Sequence, residues 1–304
     1  MTKIVFLILP KVHLLDLAGP DQVFLEAMDF GVNIQVEYCS YTEGLATSTQ
    51  LPFGTLKHFN DIVLNKGDFI VVPGADSQFL LSPQLLAQKE LFDWIKKAYE
   101  KKVRLCSICT GAYFLALTGL LDGKKCTTHW KHTMRLQSRF SKLKVIENIL
   151  FVEDNGIFTS AGVTAGIDLA LHIVGLLKDD STSFKVAREL VVYARRSGND
   201  SQQSVFLSYR NHIHAGVHKV QDWLQDNLNK KCSLQDLSEV AMMSTRTLTR
   251  IFKKETGITI NEYITLLRKE RISELMKNPD ISRHQIARQC GLESVRHVTR
   301  LISL

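Results

Sequence analysis

Apolar runs alternate with helix-spaced amphipathic segments through about the first 180 residues, and the alternation then stops. A strand buried on both faces reads as a continuous apolar run. Lys3–Leu9, Ile34–Tyr41, Asp68–Val72, Val103–Ser107 and Ile157–Thr159 fit that description. Helical spacing separates them: Val23, Phe24 and Ala27 after a Gly19-Pro20 turn, then Leu91, Ile95 and Ala98 within Leu91–Lys101. Apolar helices are expected from about Gly111 to Leu121 and from Gly162 to about Leu177. Such alternation predicts an α/β fold with a mostly parallel sheet covered on both faces, and ligands bind such sheets beyond the carboxyl ends of the strands. Polar stretches at Asp179–Ser183 and Arg195–Ser201 interrupt the pattern, and from His212 onward only short helices are expected. The expected domains are therefore 1–180 and an all-α 212–304, joined by a linker over 181–211.

Charge divides at the same place. The chain of 304 residues carries a formal net charge of +7. Residues 1–180 hold 18 basic and 19 acidic side chains, whereas 181–304 hold 20 and 12. A basic module beside a neutral one suggests a polyanionic partner for the former. The 45% hydrophobic content excludes a wholly disordered chain. No apolar run approaches the roughly 18–20 residues of a membrane helix, so no membrane partner is expected. The opening MTKIVFLILP lacks a signal cleavage site, and the six cysteines are scattered, which reads as a reduced, cytoplasmic protein. Cys106-x-x-Cys109 has no second pair at zinc-finger spacing, so no metal and no cofactor are expected.

The segment VRLCSICTG, Val103–Gly111, runs an apolar strand into Cys109 just before a helix. A sharp strand-to-helix turn presents its central side chain at the sheet rim. A helix N-terminus there favours a thiolate. Thr110 is placed to donate a hydroxyl to a ligand, His129 in Thr127-Thr128-His129-Trp130 to act as base or hydrogen-bond partner, and Asp16 to reach the same rim from the first strand. The residues alone leave three roles open for Cys109: reactive thiol, redox partner of Cys106, or small buried apolar group.

Residues 4–20 (IVFLILPKVHLLDLAGP), 108–130 (ICTGAYFLALTGLLDGKKCTTHW), 159–170 (TSAGVTAGIDLA) and Val71-Val72-Pro73-Gly74 resemble the DJ-1/PfpI-like branch of the class I glutamine amidotransferase fold. The resemblance implies a flavodoxin-like parallel-sheet sandwich with a rim pocket formed by Asp16, Gly74, Cys109, Thr110 and His129. Protease-like and deglycase-like members place a glutamate near the cysteine. The LLDLAGP string with Asp16 is instead similar to the isonitrile hydratase and regulator branches, which leaves hydratase chemistry or ligand sensing.

In the helical module, Ser233-Leu234-Gln235-Asp236 is a capping-box start, with Leu234, Leu237 and Val240 inward. Met242-Met243 make a turn and Ser244 caps a second helix to about Glu255, stopped by Gly257. A longer helix over about Ile260–Met276 ends at Asn278-Pro279, after which Ser282 and Ser294 start a second such pair. Two short helices joined by a tight turn, the second of them basic, describe a helix-turn-helix. Residues 233–301, above all RIFKKETGITINEYI, resemble the AraC/XylS transcription regulators. That resemblance implies two units entering successive major grooves of double-stranded DNA. The implied contacts are Arg246, Thr247 and Arg250, then Arg296, His297 and Arg300, with Lys253 and Lys254 on phosphates. The family pattern continues past Ile302-Ser303-Leu304, so the second unit is expected to lack its closing helix.

The two halves together, with the segment ARELVVYARRSGNDSQQSVFLSYRNHIH between them, resemble AraC-type regulators with an amidotransferase-like sensing domain, often called the GlxA family. This implies a homodimeric transcription regulator governed by a small nitrogenous metabolite. The alternative is a cysteine-dependent, isonitrile hydratase-like enzyme using Cys109.

Overall fold

The computed structural model describes residues 1–192, 196–199, 202, 204–276, 278 and 280–302. Arg195, Asp200, Ser201, Pro279, Ser303 and Leu304, on which parts of the sequence expectations fall, lie outside the described residues. The chain divides into two compact units, Met1–Gln202 and Gln203–Leu304.

Unit 1 contains β1 (Thr2–Leu7), β2 (Ile34–Ser40), β3 (Lys57–His58), β4 (Phe69–Val72), β5 (Arg104–Ile108), β6 (Lys125–Cys126), β7 (Lys144–Val145), β8 (Phe151–Asp154) and β9 (Ile157–Ser160). One 7-stranded sheet runs in the order β3-β2-β1-β4-β5-β9-β8, and β6 pairs with β7 beside it. Neighbours in the large sheet are parallel except β8 and β9. Its helices are α1 (Leu14–Asp29), α2 (Ser77–Leu80), α3 (Pro83–Leu86), α4 (Lys89–Glu100), α5 (Gly111–Leu117), α6 (Thr133–Arg139), α7 (Thr164–Leu177) and α8 (Asp180–Glu189).

Side chains alternate across a strand, and β1 follows that rule. Ile4, Phe6 and Ile8 pack with Phe24 and Ala27 of α1 and with Leu169 and Ile173 of α7. Val5, Leu7 and Leu9 pack on the opposite face with Ile95 of α4 and Phe114 of α5. Both faces are covered, so every residue from Ile4 to Leu9 is at most 1% exposed. Strand order reverses between β1 and β4, and ligands of such sheets bind beyond the carboxyl ends of the strands at that reversal.

Three sequence expectations change here. Gly19-Pro20 is not a turn before the first helix; both residues lie inside α1. Gly19 lets Ile167 of α7 approach to where a Cβ would stand 2.9 Å from Ile167 Cγ1, and Pro20 is buried in the same contact. The helix survives the missing N–H because tertiary packing overrides local propensity. The segment from 180 to 189, expected as linker, is α8 and buries Val186 and Ala187 against the α1–α7 layer. Finally, β8 was not expected; Asn155 and Gly156, both at positive φ, turn it antiparallel onto β9.

Unit 2 is helical among the described residues, with α9 (Val205–Ser208), α10 (Ala215–Asp226), α11 (Leu234–Ala241), α12 (Thr245–Thr256), α13 (Ile260–Leu275), α14 (Arg283–Gln289) and α15 (Val295–Ile302). It has two cores. Val217, Leu224, Leu237, Leu248, Phe252 and Tyr263 share the first, and Ile272, Ile286, Cys290 and Val298 the second. Leu234, expected inward, is 38% exposed. Among the described residues, no helix is long and apolar enough to cross a membrane.

Phe252 is fully buried and meets the Tyr263 ring edge-on at 5.6 Å. Phe252→Ala should cost unit 2 about 3–5 kcal/mol, the usual range for truncating a core aromatic. Residue-resolved hydrogen exchange should show protection falling in α10–α13 while β1, β4 and β5, whose core is separate, keep theirs.

Candidate functional site

Cys109 follows β5 at φ 54, in the left-handed region. A non-glycine residue is strained there, and such strain persists only where the surroundings enforce it. Four hydrogen bonds on Cys109 and its neighbour Thr110 do so. The Cys109 N–H donates to the Ser160 carbonyl at 3.0 Å. The Thr128 hydroxyl donates to the Cys109 carbonyl at 2.7 Å. The Thr110 hydroxyl donates to the Ala75 carbonyl at 2.7 Å and accepts the Ala75 N–H at 3.0 Å. The single Thr110 proton is therefore engaged, and Thr110 braces the β4 loop instead of offering a donor to a ligand.

Two glycines make room for the elbow. A Cβ on Gly74 would stand 2.3 Å from Asp16 Oδ2 and 3.0 Å from both Cys109 Cβ and Thr110 Oγ1. A Cβ on Gly162 would stand 2.1 Å from Cys109 Cβ. Beside Gly162, Val163 has φ 52, a second strained residue at the same rim and a β-branched one.

Asp16 lies in the first turn of α1 and is 1% exposed. Its Oδ1 accepts the Val163 N–H at 2.6 Å. Its Oδ2 lacks an N–H or O–H partner and faces His13 Nδ1 at 3.4 Å. His13, Asp16 and Cys109 each place a donor atom within 4.8 Å of the others, a mixed N, O and S set of the kind a thiophilic divalent ion accepts. Sequence spacing gave no sign of this set, because the expected start of α1 after Pro20 hid the i, i+3 relation of His13 and Asp16.

Burial and the neighbouring Asp16 charge push the Cys109 thiol well above its ordinary range, against the smaller opposite effect of the Thr110 backbone. This reverses the expectation that the helix N-terminus favours a thiolate: the short α5 is outweighed by desolvation. Cys106, the proposed redox partner, is fully buried in β5, and both are free thiols.

His129 is half-buried at the start of a short 3-10 turn, where its Nδ1 accepts the Lys131 N–H at 3.3 Å. Burial, then the Lys131 charge, hold its pKa below the ordinary histidine value, which favours the neutral ring. It is not hydrogen-bonded to the Cys109 thiol. The elbow thus brings Asp16, Gly74, Cys109 and Thr110 into contact and adds His13, Gly162 and Val163, which sequence spacing had not singled out.

In unit 2, Ser233 and Asp236 form the expected capping box of α11, and Met242 turns the chain at φ 55. Ser244 caps α12 and Gly257 ends it at φ 81. The inward face of α12 holds Leu248 and Phe252, leaving Arg246, Arg250, Lys253 and Lys254 exposed. Thr247 is half-buried, with its hydroxyl on Ser244 Oγ at 2.8 Å, so it serves the cap. On α15, Arg296 and Arg300 are exposed. His297 is half-buried in a cleft with Asn261 and Arg268, off the outward stripe where it was expected.

Each part of the chain matches a known family. Residues 2–176 match the DJ-1/PfpI family, and residues 237–303 match a helix-turn-helix domain. The transcriptional regulator GbdR of Pseudomonas aeruginosa is 30% identical over 200 residues, covering 65% of this chain and 53% of GbdR. The chain thus spans about half the length of that regulator. An isonitrile hydratase of Pseudomonas putida is 31% identical over 188 residues, covering 62% of this chain and 77% of the hydratase. A THiJ/PfpI family protein of Pseudomonas syringae superposes with a TM-score of 0.56 at 19% identity, over 79% of this chain and 90% of its own.

A neutral, buried thiol reacts slowly, since each pKa unit removes tenfold of thiolate. Iodoacetamide at pH 8 should label Cys109 at least roughly 100-fold more slowly than free glutathione. Asp16→Asn removes the carboxylate charge that raises the thiol and should speed labelling, as read by peptide mass spectrometry. Equal rates in the variant and wild type would mean Asp16 does not control the thiol.

Proposed function

The chain belongs to the DJ-1/PfpI family, and on that footing we propose that it is a transcription regulator. In this proposal the α12 helix reads DNA and the Asp16–Cys109–His129 pocket binds a small metabolite. The observation that carries the DNA part is the exposed Arg246, Arg250 and Lys253 stripe on a helix capped at both ends. Arginine reads guanine edges with two parallel hydrogen bonds, while lysine neutralises phosphate. On α15, Arg296 and Arg300 supply a second exposed pair.

The pocket supports sensing more than turnover. Burial and the Asp16 charge favour the protonated thiol, and the His129 ring, which burial keeps neutral, makes no hydrogen bond to it. Asp16 Oδ2 is buried with no N–H or O–H bonded to it and only the Cys109 thiol and His13 Nδ1 beside it. A buried acceptor left unsatisfied is costly, so a ligand with an N–H group or a positive charge gains by filling that position. A coupling of about 1–3 kcal/mol between pocket and DNA affinity is enough for regulation. The regulator acts as a homodimer in the cytoplasm, and its effector is a small nitrogenous metabolite.

A second reading is hydration of an isonitrile at Cys109, favoured by the strained elbow and by the hydratase relative. Cys109→Ala separates the two: loss of isonitrile consumption with unchanged DNA binding would make the chain a hydratase.

The DNA reading is tested by capturing sheared genomic DNA on the purified full chain at fixed salt. Wild type should enrich a small set of fragments sharing a motif. Arg246→Ala/Arg250→Ala should lose about 1–3 kcal/mol per base contact and with it the selective enrichment. Identical enrichment by wild type and variant would remove α12 as the reading helix.

A further inference from the structure

We propose that His13, Asp16 and Cys109 form a binding site for a thiophilic divalent cation, with Zn²⁺ as the type. The inference concerns the pocket of the regulator reading but goes beyond it, and it holds whether or not the chain binds DNA.

The three donors are positioned by segments that are locked together. His13 and Asp16 stand three residues apart at the start of α1, and Cys109 follows β5. The His13 N–H donates to the Gly74 carbonyl at 2.7 Å, and Val12 makes a β-bridge to Ala75. Thr110, next to Cys109, is fixed to the same Ala75 by its hydroxyl. The loop after β4 thus holds both the His13–Asp16 side and the Cys109 side of the site.

An N-cap side chain ordinarily accepts a helix N–H. His13 occupies the N-cap of α1 without making such a bond, and its Nδ1 stands 3.4 Å from Asp16 Oδ2 instead. Two donors each about 2.1 Å from a tetrahedral ion stand about 3.4 Å apart. All three donor atoms lie within 4.8 Å of one another. A thiolate sulfur on the same ion stands about 3.6 Å from its neighbours, and the partly exposed His13 ring has room to close the difference.

Asp16 carries the strongest pointer to a cation. The residue is 1% exposed, and its Oδ1 is spent on the Val163 N–H. Its Oδ2 has only the Cys109 thiol and His13 beside it. A buried carboxylate is costly unless it is well bonded, paired or on a metal. Gly74 keeps the approach to this oxygen clear, since a Cβ there would stand 2.3 Å from Oδ2.

Charge and donor softness choose the ion. On binding, the Cys109 S–H bond breaks, its electron pair forms the sulfur–metal bond, and the proton leaves to solvent. The thiolate and the Asp16 carboxylate then balance the two positive charges, so the buried site is neutral. Mg²⁺ and Ca²⁺ take roughly six or more oxygen donors, which one carboxylate beside a sulfur and an imidazole does not supply. Zn²⁺, and Co²⁺ as its spectroscopic stand-in, accept nitrogen, oxygen and sulfur together. Three protein donors leave a fourth position for water or a small ligand, the pattern of an open rather than a structural zinc site.

The test is titration of the reduced, metal-free full chain with Co²⁺ alone, read by absorption. Wild type should develop a thiolate-to-cobalt charge-transfer band with the visible bands of a four-coordinate ion, saturating at one ion per chain, and Zn²⁺ should abolish both. Cys109→Ala should lose the charge-transfer band. Asp16→Asn and His13→Ala should keep it but weaken cobalt binding at least about tenfold. Circular dichroism without metal reads the fold of each variant, and the partly exposed His13 keeps the test decisive if a buried variant misfolds. Absence of the band in wild type with cobalt in large excess would overturn the site. So would an undiminished band in folded Cys109→Ala, which would place the ion on another cysteine, or unchanged affinity in His13→Ala. None of these outcomes touches the genomic capture result, and loss of selective capture leaves the cobalt titration standing, so the two readings fail separately.

Discussion

The buried carboxylate of Asp16 is the interaction on which the pocket depends. It sits in the first turn of α1, yet its Oδ1 holds the Val163 N–H ahead of α7. Its Oδ2 faces His13 and presses on the position where Gly74 has no side chain. Segments following β1, β4, β5 and β9 are thereby gathered around one acidic group. Burying such a group is expensive unless it is bonded or paired, and here Oδ2 has only a weak thiol donor and the His13 ring beside it. That weakly bonded oxygen favours a ligand with a stronger donor, and its charge adds to burial in raising the Cys109 thiol. Strain at Cys109 and Val163 is affordable because those bonds over-determine both residues.

Unit 2 is organised by different means. Its short helices cannot be stable in isolation, and each is fixed by a cap and a shared core. Capping boxes at Ser233, Thr259 and Ser282 start α11, α13 and α14. With the apolar faces of α11, α12 and α13 turned inward, the remaining basic side chains of α12 are left to solvent. The basic second helix expected from the sequence thus presents its charge as an outward stripe.

Much of this was legible beforehand. Continuous apolar runs marked β1, β2, β4, β5 and β9, because a doubly covered parallel strand admits few polar residues. Caps and turns in unit 2 were equally plain, since Ser244, Gly257 and Met242 act through local chemistry. What failed was whatever depends on distant partners. Pro20 reads locally as a helix start, but the contact of α1 with α7 carries the helix through it. The chain from 181 reads as linker, yet Val186 and Ala187 bind α8 to the core. β8 was missed although Asn155-Gly156 is a strong hairpin signal. In the site, Cys109 and Asp16 were visible as motif residues, but the engaged Thr110 hydroxyl and the donor set with His13 arise only from three-dimensional packing.

In this account the elbow pocket governs a DNA reader. That control is tested most directly by mapping chromosomal occupancy and transcription together in cells carrying Asp16→Asn in place of the wild-type chain. The expected result is binding to the same sequence motif with altered occupancy and altered transcription of the genes beside it, because α12 is untouched while the pocket is not. Transcription identical to wild type at every occupied site, across growth conditions, would contradict it.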